Sequence, residues 1–195
     1  MAPTAKTGMG KVTVRIARKT DAKALGVFLI RAWREAGPGA LGFTGATEDT
    51  IREISSAYFL VQRIGNPKIR MMVAIVAGDI VGFASIRAES PKTAELSGIV
   101  VLKSASGFGI GTRLIQRTLR LAAGLGFKTM TVRTEVFNER AIGFYKRNGF
   151  TESARATEKV GRMTVPVQVL RKVIVGKRAG SLPTGARARS SHLAG

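Results

Sequence analysis

The run Ser106–Thr112, SGFGIGT, carries glycine at every second position, Gly107, Gly109 and Gly111. Before it stands LSGIVVL, apolar and β-branched; after it RLIQRTLRLAAGLG repeats apolar residues at helical spacing. Glycine inside ordered chain is entropically unfavourable, so glycines between a predicted strand and a predicted helix imply positive φ or a close approach to the backbone. Strand, glycine-rich turn and helix is also the arrangement that holds phosphate, because loop amides converge and the helix N-terminus adds partial positive charge. Two familiar versions do not fit. A P-loop ends in Gly-Lys-Ser/Thr, whereas this loop ends Gly111-Thr112. A dinucleotide fingerprint reads G-x-G-x-x-G in a first βαβ unit, whereas this is G-x-G-x-G with no such unit around it.

The flanking chain sets the fold class. Val12, Val14 and Ile16 alternate and predict a strand. A helix follows, capped by Thr20 or Asp21, with Leu25, Phe28, Leu29, Ala32 and Trp33 at helical spacing and Gly37-Pro38 as its stop. Beyond the glycine-rich loop GPGALGFTG, ATEDTIREISSAYFLVQRIG reads as one second helix through Ile51, Ile54, Tyr58 and Val61. IRMMVAIVAGDIVGFASIRAE gives two strands around Ala77-Gly78-Asp79, and TAELSGIVVL gives another. After the glycine loop come a helix over 112–125, the strand FKTMTVRTEV, the short helix NERAIGFYKRNG and a closing hairpin. The order β-α-α-β-β-β-α-β-α-β-β predicts an α/β (α+β) domain, a mixed, mostly antiparallel central sheet flanked by helices. Residues 1–10 read as a flexible arm, 11–175 as the domain, and 176–195 as a disordered basic tail without apolar periodicity.

Composition narrows the chemistry. There is no cysteine, and the one histidine is His192, so disulfides, thiol nucleophiles, thiolate or histidine-based metal sites and Ser-His-Asp triads are set aside. Catalysis would fall to carboxylates, tyrosine, lysine or the backbone, with no metal. No apolar run is long enough for a membrane span, and the first residues lack the apolar core of a signal peptide, which predicts a cytoplasmic protein. Lys and Arg number 32 against 12 Asp and Glu, for a net charge of +20. Such a field attracts polyanions: nucleic acid, ribosomes, acidic proteins or a heavily phosphorylated cofactor.

IVVLKSASGFGIGTRLIQ, followed further on by NERAIGFYKRNGF, resembles the two signatures of the GCN5-related N-acetyltransferase superfamily. The family's pyrophosphate loop, Arg/Gln-x-x-Gly-x-Gly/Ala, falls on Ser106 through Gly111, with Ser106 standing where the family has a basic or amide residue. Its second signature falls on Asn138, Ala141, Phe144, Tyr145, Gly149 and Phe150. The resemblance implies an acetyl-CoA N-acyltransferase-like fold and acetyl-CoA as cosubstrate. It places the pyrophosphate at Ser106, Gly107, Phe108, Gly109, Ile110, Gly111 and Thr112, with Arg113 and Arg117 as replacements for the missing basic side chain or as a solvated helix face. It pairs the pantetheine arm with the strand at Ile99 and Val101, whose N–H groups would polarise the thioester carbonyl.

In the same resemblance Asn138 contacts the cofactor and caps its helix, while Arg140 and Lys146 meet the 3′-phosphate or stay solvated. Tyr145 is the implied general acid for the leaving sulfur, its phenol protonated at neutral pH, or else a core anchor beside Phe144. Glu95 is the candidate base, placed by two-residue alternation on the face of Ile99 and Val101; Glu89 and Glu135 compete, and some members use no side-chain base. The implied reaction is direct attack by a primary amine within a ternary complex. The amine belongs to a protein, a peptide or a small molecule, with specificity set by WREAGPGALGFTGATEDTIREI and TEKVGRMTVP. Glu48, Asp49 and Glu53 read first as helix N-terminus stabilisers. The alternative is a catalytically weak acetyltransferase-like protein that binds nucleic acid or ribosomes through its basic surface. A homodimer is left open.

Overall fold

In the computed structural model, which describes residues 10–36, 48–160 and 163–174, the alternating segments form a seven-stranded sheet ordered β1-β2-β3-β4-β5-β7-β6. The strands are β1 (Thr13–Ile16), β2 (Ile69–Val76), β3 (Asp79–Ala88), β4 (Thr93–Val101), β5 (Thr129–Glu135), β6 (Thr151–Val160) and β7 (Met163–Val173). Every neighbouring pair is antiparallel except β4 with β5. This is the mixed, mostly antiparallel sheet expected from the element order. Residues 1–9 of the predicted arm, the predicted basic tail, the glycine-rich loop before Glu48 and the tip of the last hairpin lie outside the described residues.

The helices are α1 (Ala22–Ala36), α2 (Glu48–Ile54), α3 (Ala57–Gly65), α4 (Ile110–Gly124) and α5 (Glu139–Arg147). The single helix predicted over residues 46–65 is therefore two. Ser56 adopts extended backbone, and its hydroxyl accepts the Phe59 N–H at 3.2 Å, capping a new helix where apolar spacing alone runs on without a break. The break seats the chain on α1: Gly26 faces the Ser55 carbonyl at a distance that no Cβ would tolerate. The start of α1 also differs, since a 3₁₀ turn, Lys19–Asp21, precedes it with Arg18 in the cap position. The Asp21 carboxylate accepts the Arg18 N–H at 2.6 Å and two Arg15 N–H groups at 2.6 and 2.8 Å, which holds its pKa below the ordinary carboxylate value.

Two turns behave as their residues require. Ala77 and Gly78 both have positive φ, 51° and 93°, the type I′ geometry that matches the twist of the β2–β3 hairpin. Gly109, with φ 74°, is the N-cap of α4, so that helix begins at Ile110 and not at Thr112. From there Ile110, Leu114, Ile115, Thr118 and Ala122 form its buried stripe. The stripe closes on the sheet at Gly82, where a Cβ would stand 3.1 Å from Leu114 and 3.2 Å from Ile110. Leu25, Met72, Val73, Ala84, Ile86, Met130, Val132 and Leu170 complete the interior. Each of these side chains larger than alanine contributes about 1.5–3 kcal/mol relative to exposure.

Candidate active site

β4 and β5 pair only from Thr93 with Thr129 to Glu95 with Thr131. β4 then continues against β3 as far as Val101 with Gly82, so from Leu96 onward its other edge meets no strand among the described residues. Between these stretches the register with β3 shifts: Leu96 opposes Ile86 and Gly98 opposes Ser85, leaving Ser97 as the extra residue of a β-bulge. The Ser97 hydroxyl donates to the Ser85 carbonyl at 3.2 Å.

The bulge corrects one expectation. Directly paired residues share a face, and faces alternate along β3. Glu95 therefore lies with Arg87, Ser85 and Gly98, while Ile99 and Val101 lie with Ala84 and Gly82 on the opposite face. Two-residue alternation puts Glu95 beside Ile99 and Val101 only if no residue is inserted, and Ser97 is inserted.

At the far end of β4 the Leu102 N–H donates to the Val81 carbonyl at 3.0 Å, and the 3₁₀ turn Lys103–Ala105 leads into the glycine loop. The three glycines do different work. Gly107 and Gly109 have φ of 86° and 74°, the left-handed region, and a Cβ on Gly109 would meet nothing within 4 Å. Gly111 is helical, and its need is close approach: a Cβ there would stand 3.0 Å from Phe144 Cζ and 3.9 Å from Val101. Ser106 uses its hydroxyl to donate to Leu102 O at 3.0 Å and its N–H to donate to Lys103 O at 3.1 Å. Its donors thus serve the chain's own carbonyls. Gly109, the N-cap of α4, has no side chain to cap it and no acid stands in the first turn, so the positive end of the helix dipole lies beside Gly109. Phe108 packs against the core, and half-buried Thr112 lines a cleft of about 350 Å³ shared with Gln116, Arg147 and Lys172.

α5 places the second set of residues. The Asn138 side chain accepts the Ala141 N–H at 3.1 Å, the predicted cap. Tyr145 is buried, with its ring 5.5 Å from Phe144 and 5.9 Å from Phe150. Burial first, and then the negative charge of Glu135, push the phenol above its ordinary pKa, so it stays protonated through neutral pH. Arg140 is exposed, whereas Lys146 is paired with Glu152 at 2.5 Å.

Glu95 is buried at 6 % exposure and is held by two guanidinium groups. Arg87 Nε donates to one carboxylate oxygen, and Arg133 Nη1 stands 3.0 Å from the other. Arg133 also pairs with Glu89 and, at 3.3 Å, with Glu158 of β6. Burial alone would raise the Glu89 carboxyl; hydrogen bonds from Arg133 and from Thr131 at 2.7 Å outweigh it and hold the pKa below the ordinary value. Arg133 thus joins carboxylates from three strands or strand ends. The sequence carries no sign of it, because these residues meet only through the register of β3, β4, β5 and β6.

The model of the acetyltransferase (GNAT) family matches residues 30–150. An uncharacterized N-acetyltransferase of Mycobacterium tuberculosis is 28% identical over 142 residues, which covers 73% of this chain and 90% of that protein. Among solved structures, the PaiA N-acetyltransferase from Thermoplasma acidophilum in complex with coenzyme A superposes with a TM-score of 0.66 at 19% identity, covering 84% of this chain and 99% of that one. An N-acetyltransferase from Staphylococcus aureus superposes with a TM-score of 0.64 at 22% identity, covering 85% and 100%.

Proposed function

The chain belongs to the acetyltransferase (GNAT) family and is an N-acetyltransferase, and from that premise we propose that it transfers the acetyl group of acetyl-CoA to a primary amine of a protein, peptide or small molecule, by direct attack within a ternary complex. The observation that carries this reading is the continuity of two features: the unpaired edge of β4 leads directly into left-handed glycines and an uncapped helix N-terminus.

The residues present fit the cosubstrate. An amide-bearing pantetheine arm is the kind of chain that an open strand edge accepts, through backbone groups at Ile99 and Val101. A diphosphate needs N–H donors, positive charge and clearance. The amides of Gly107 through Thr112 and the α4 dipole supply the first two, and the empty space beside Gly109 supplies the third. With the Ser106 donors engaged elsewhere, Arg113, exposed in the first turn of α4, takes the place of the family's basic side chain. Asn138 and Arg140 border the same ligand. Bound there, acetyl-CoA supplies the activated acetyl group.

The chain's own groups handle the protons. Tyr145 holds a proton at its phenol oxygen and donates it to the leaving sulfur. Glu95 is the carboxylate at the last β4–β5 pair, where the strands part, and serves as acceptor of the amine proton, with Arg87 or Arg133 yielding one of its oxygens. The test is incubation with acetyl-CoA and a panel of primary amines: lysine peptides, free peptide N-termini, polyamines and amino acids. Mass gain of one acetyl group on the amine, matched by thiol release and lost in Gly109→Val, is the expected result. No acetylated amine in any class would overturn it.

A further inference from the structure

From Leu96 through Thr134 the chain contains no acidic residue. This stretch includes the whole of α4, whose cations are all arginines: Arg113, Arg117 and Arg120. Their spacing of four and three residues puts them on one side of the helix, and all are exposed, opposite the stripe of Ile110, Leu114, Ile115, Thr118 and Ala122 that faces the sheet. Among the described residues none of the three lies within ion-pairing distance of a carboxylate. Six other arginines, Arg15, Arg31, Arg34, Arg52, Arg87 and Arg133, each hold an acid, whereas the three on α4 stand together on one face of one helix. Exposed Lys103 and Lys128 extend the charge past both ends of the helix.

We propose that this face of α4 docks the phosphate backbone of a nucleic-acid duplex. At a rise of about 1.5 Å per residue the arginines span about 10.5 Å. A duplex offers one negative charge per about 1.7 Å of axis, or about six charges over that length. Guanidinium forks match phosphate oxygens in pairs, and arginine is less strongly hydrated than lysine, so an all-arginine stripe suits this partner. The stripe carries no aromatic side chain on which unpaired bases would stack, which favours a duplex over a single strand. It also lacks the apolar face that inserts at a membrane surface, since the apolar residues of α4 face the sheet. Arg113, at the α4 N-terminus, borders the acetyl-CoA site of the proposed function, so Arg117 and Arg120 are the two that face the duplex alone.

The experiment is fluorescence anisotropy of a short labelled DNA duplex with the full chain, over a series of salt concentrations. Arg117→Glu/Arg120→Glu is compared with Lys19→Glu/Lys23→Glu, which has the same net charge but alters exposed lysines at the start of α1. The stripe variant is expected to bind at least about tenfold more weakly at moderate salt, with a log–log salt slope shallower by about two, while the control stays near wild type. Circular dichroism and the unfolding midpoint verify the fold, and Arg117→Gln/Arg120→Gln repeats the comparison without charge reversal. Equal losses in stripe and control variants would overturn the proposal in favour of bulk charge. So would equal binding to polyglutamate, anionic vesicles or single-stranded DNA.

Discussion

The Cβ that Gly111 lacks would stand 3.0 Å from Cζ of Phe144, so the last glycine of the loop makes room for a neighbouring helix. The two stretches that resemble the family signatures thus meet physically: the first turn of α4 sits against α5, the helix that carries Tyr145. Gly111→Ala is expected to destabilise the protein by about 1 kcal/mol through overpacking, despite alanine's better helix propensity. Gly124, in the same helix with nothing within 4 Å of its missing Cβ, is the contrast. Gly124→Ala is expected to stabilise by about 0.5 kcal/mol. Adding Phe144→Leu to Gly111→Ala recovers most of the loss in a double-mutant cycle by chemical denaturation; an absent coupling contradicts the contact.

Much of this arrangement was legible in the sequence, and its failures have definite causes. Alternation and helical spacing located the strands and helices, and turn residues located the β2–β3 hairpin. Glycine spacing marked the loop but not the division of labour, since Gly109 and Gly111 look alike until Phe144 is in place. Ser56 hid because apolar spacing runs through it, although a serine before a fresh apolar period is a cap signal. Ser97 hid because a bulge has no required residue, and it moved Glu95 to the other face. Arg133 was beyond reach, being one arginine among many until strand register gave it Glu89, Glu95 and Glu158.

Tyr145→Phe is expected to lower kcat at saturating acetyl-CoA by about a hundredfold with acetyl-CoA affinity nearly unchanged. An unaltered kcat in single-turnover measurements removes Tyr145 as the acid. A linked effect concerns stability. Burial, and then Glu135, raise the folded-state phenol pKa above its unfolded value. The corresponding stability is complete below about pH 10 and declines as pH rises further, because the unfolded chain ionises first. Wild type should therefore lose stability above that pH more steeply than Tyr145→Phe, which alkaline denaturation would reveal.

Arg133→Met leaves Glu95 buried with one partner, removes the ion pair of Glu158, and leaves Glu89 with the Thr131 hydroxyl. A stability loss of about 2 kcal/mol is expected, less than for a fully buried pair because Arg133 is partly exposed. The Glu89 carboxyl is held below its ordinary value, so its contribution is present above about pH 4.3 and is lost as pH falls. Acid titration of stability should be flatter in the variant than in wild type. An unchanged acid profile would show that Arg133 does not hold the carboxylates together in solution.

The central claim is that left-handed Gly109 and the open α4 N-terminus bind the diphosphate of acetyl-CoA. Calorimetric titration of wild type and Gly109→Val with acetyl-CoA, and with ATP at matched ionic strength, tests it most directly. A branched side chain at φ 74° is strained, but its Cβ meets no neighbouring atom, so the fold is retained with a loss of about 1–2 kcal/mol. The predicted result is saturable one-to-one binding of acetyl-CoA to wild type, tighter than ATP, and abolished in Gly109→Val. Equal affinity of both proteins for acetyl-CoA, or no preference of wild type for acetyl-CoA over ATP, would contradict it.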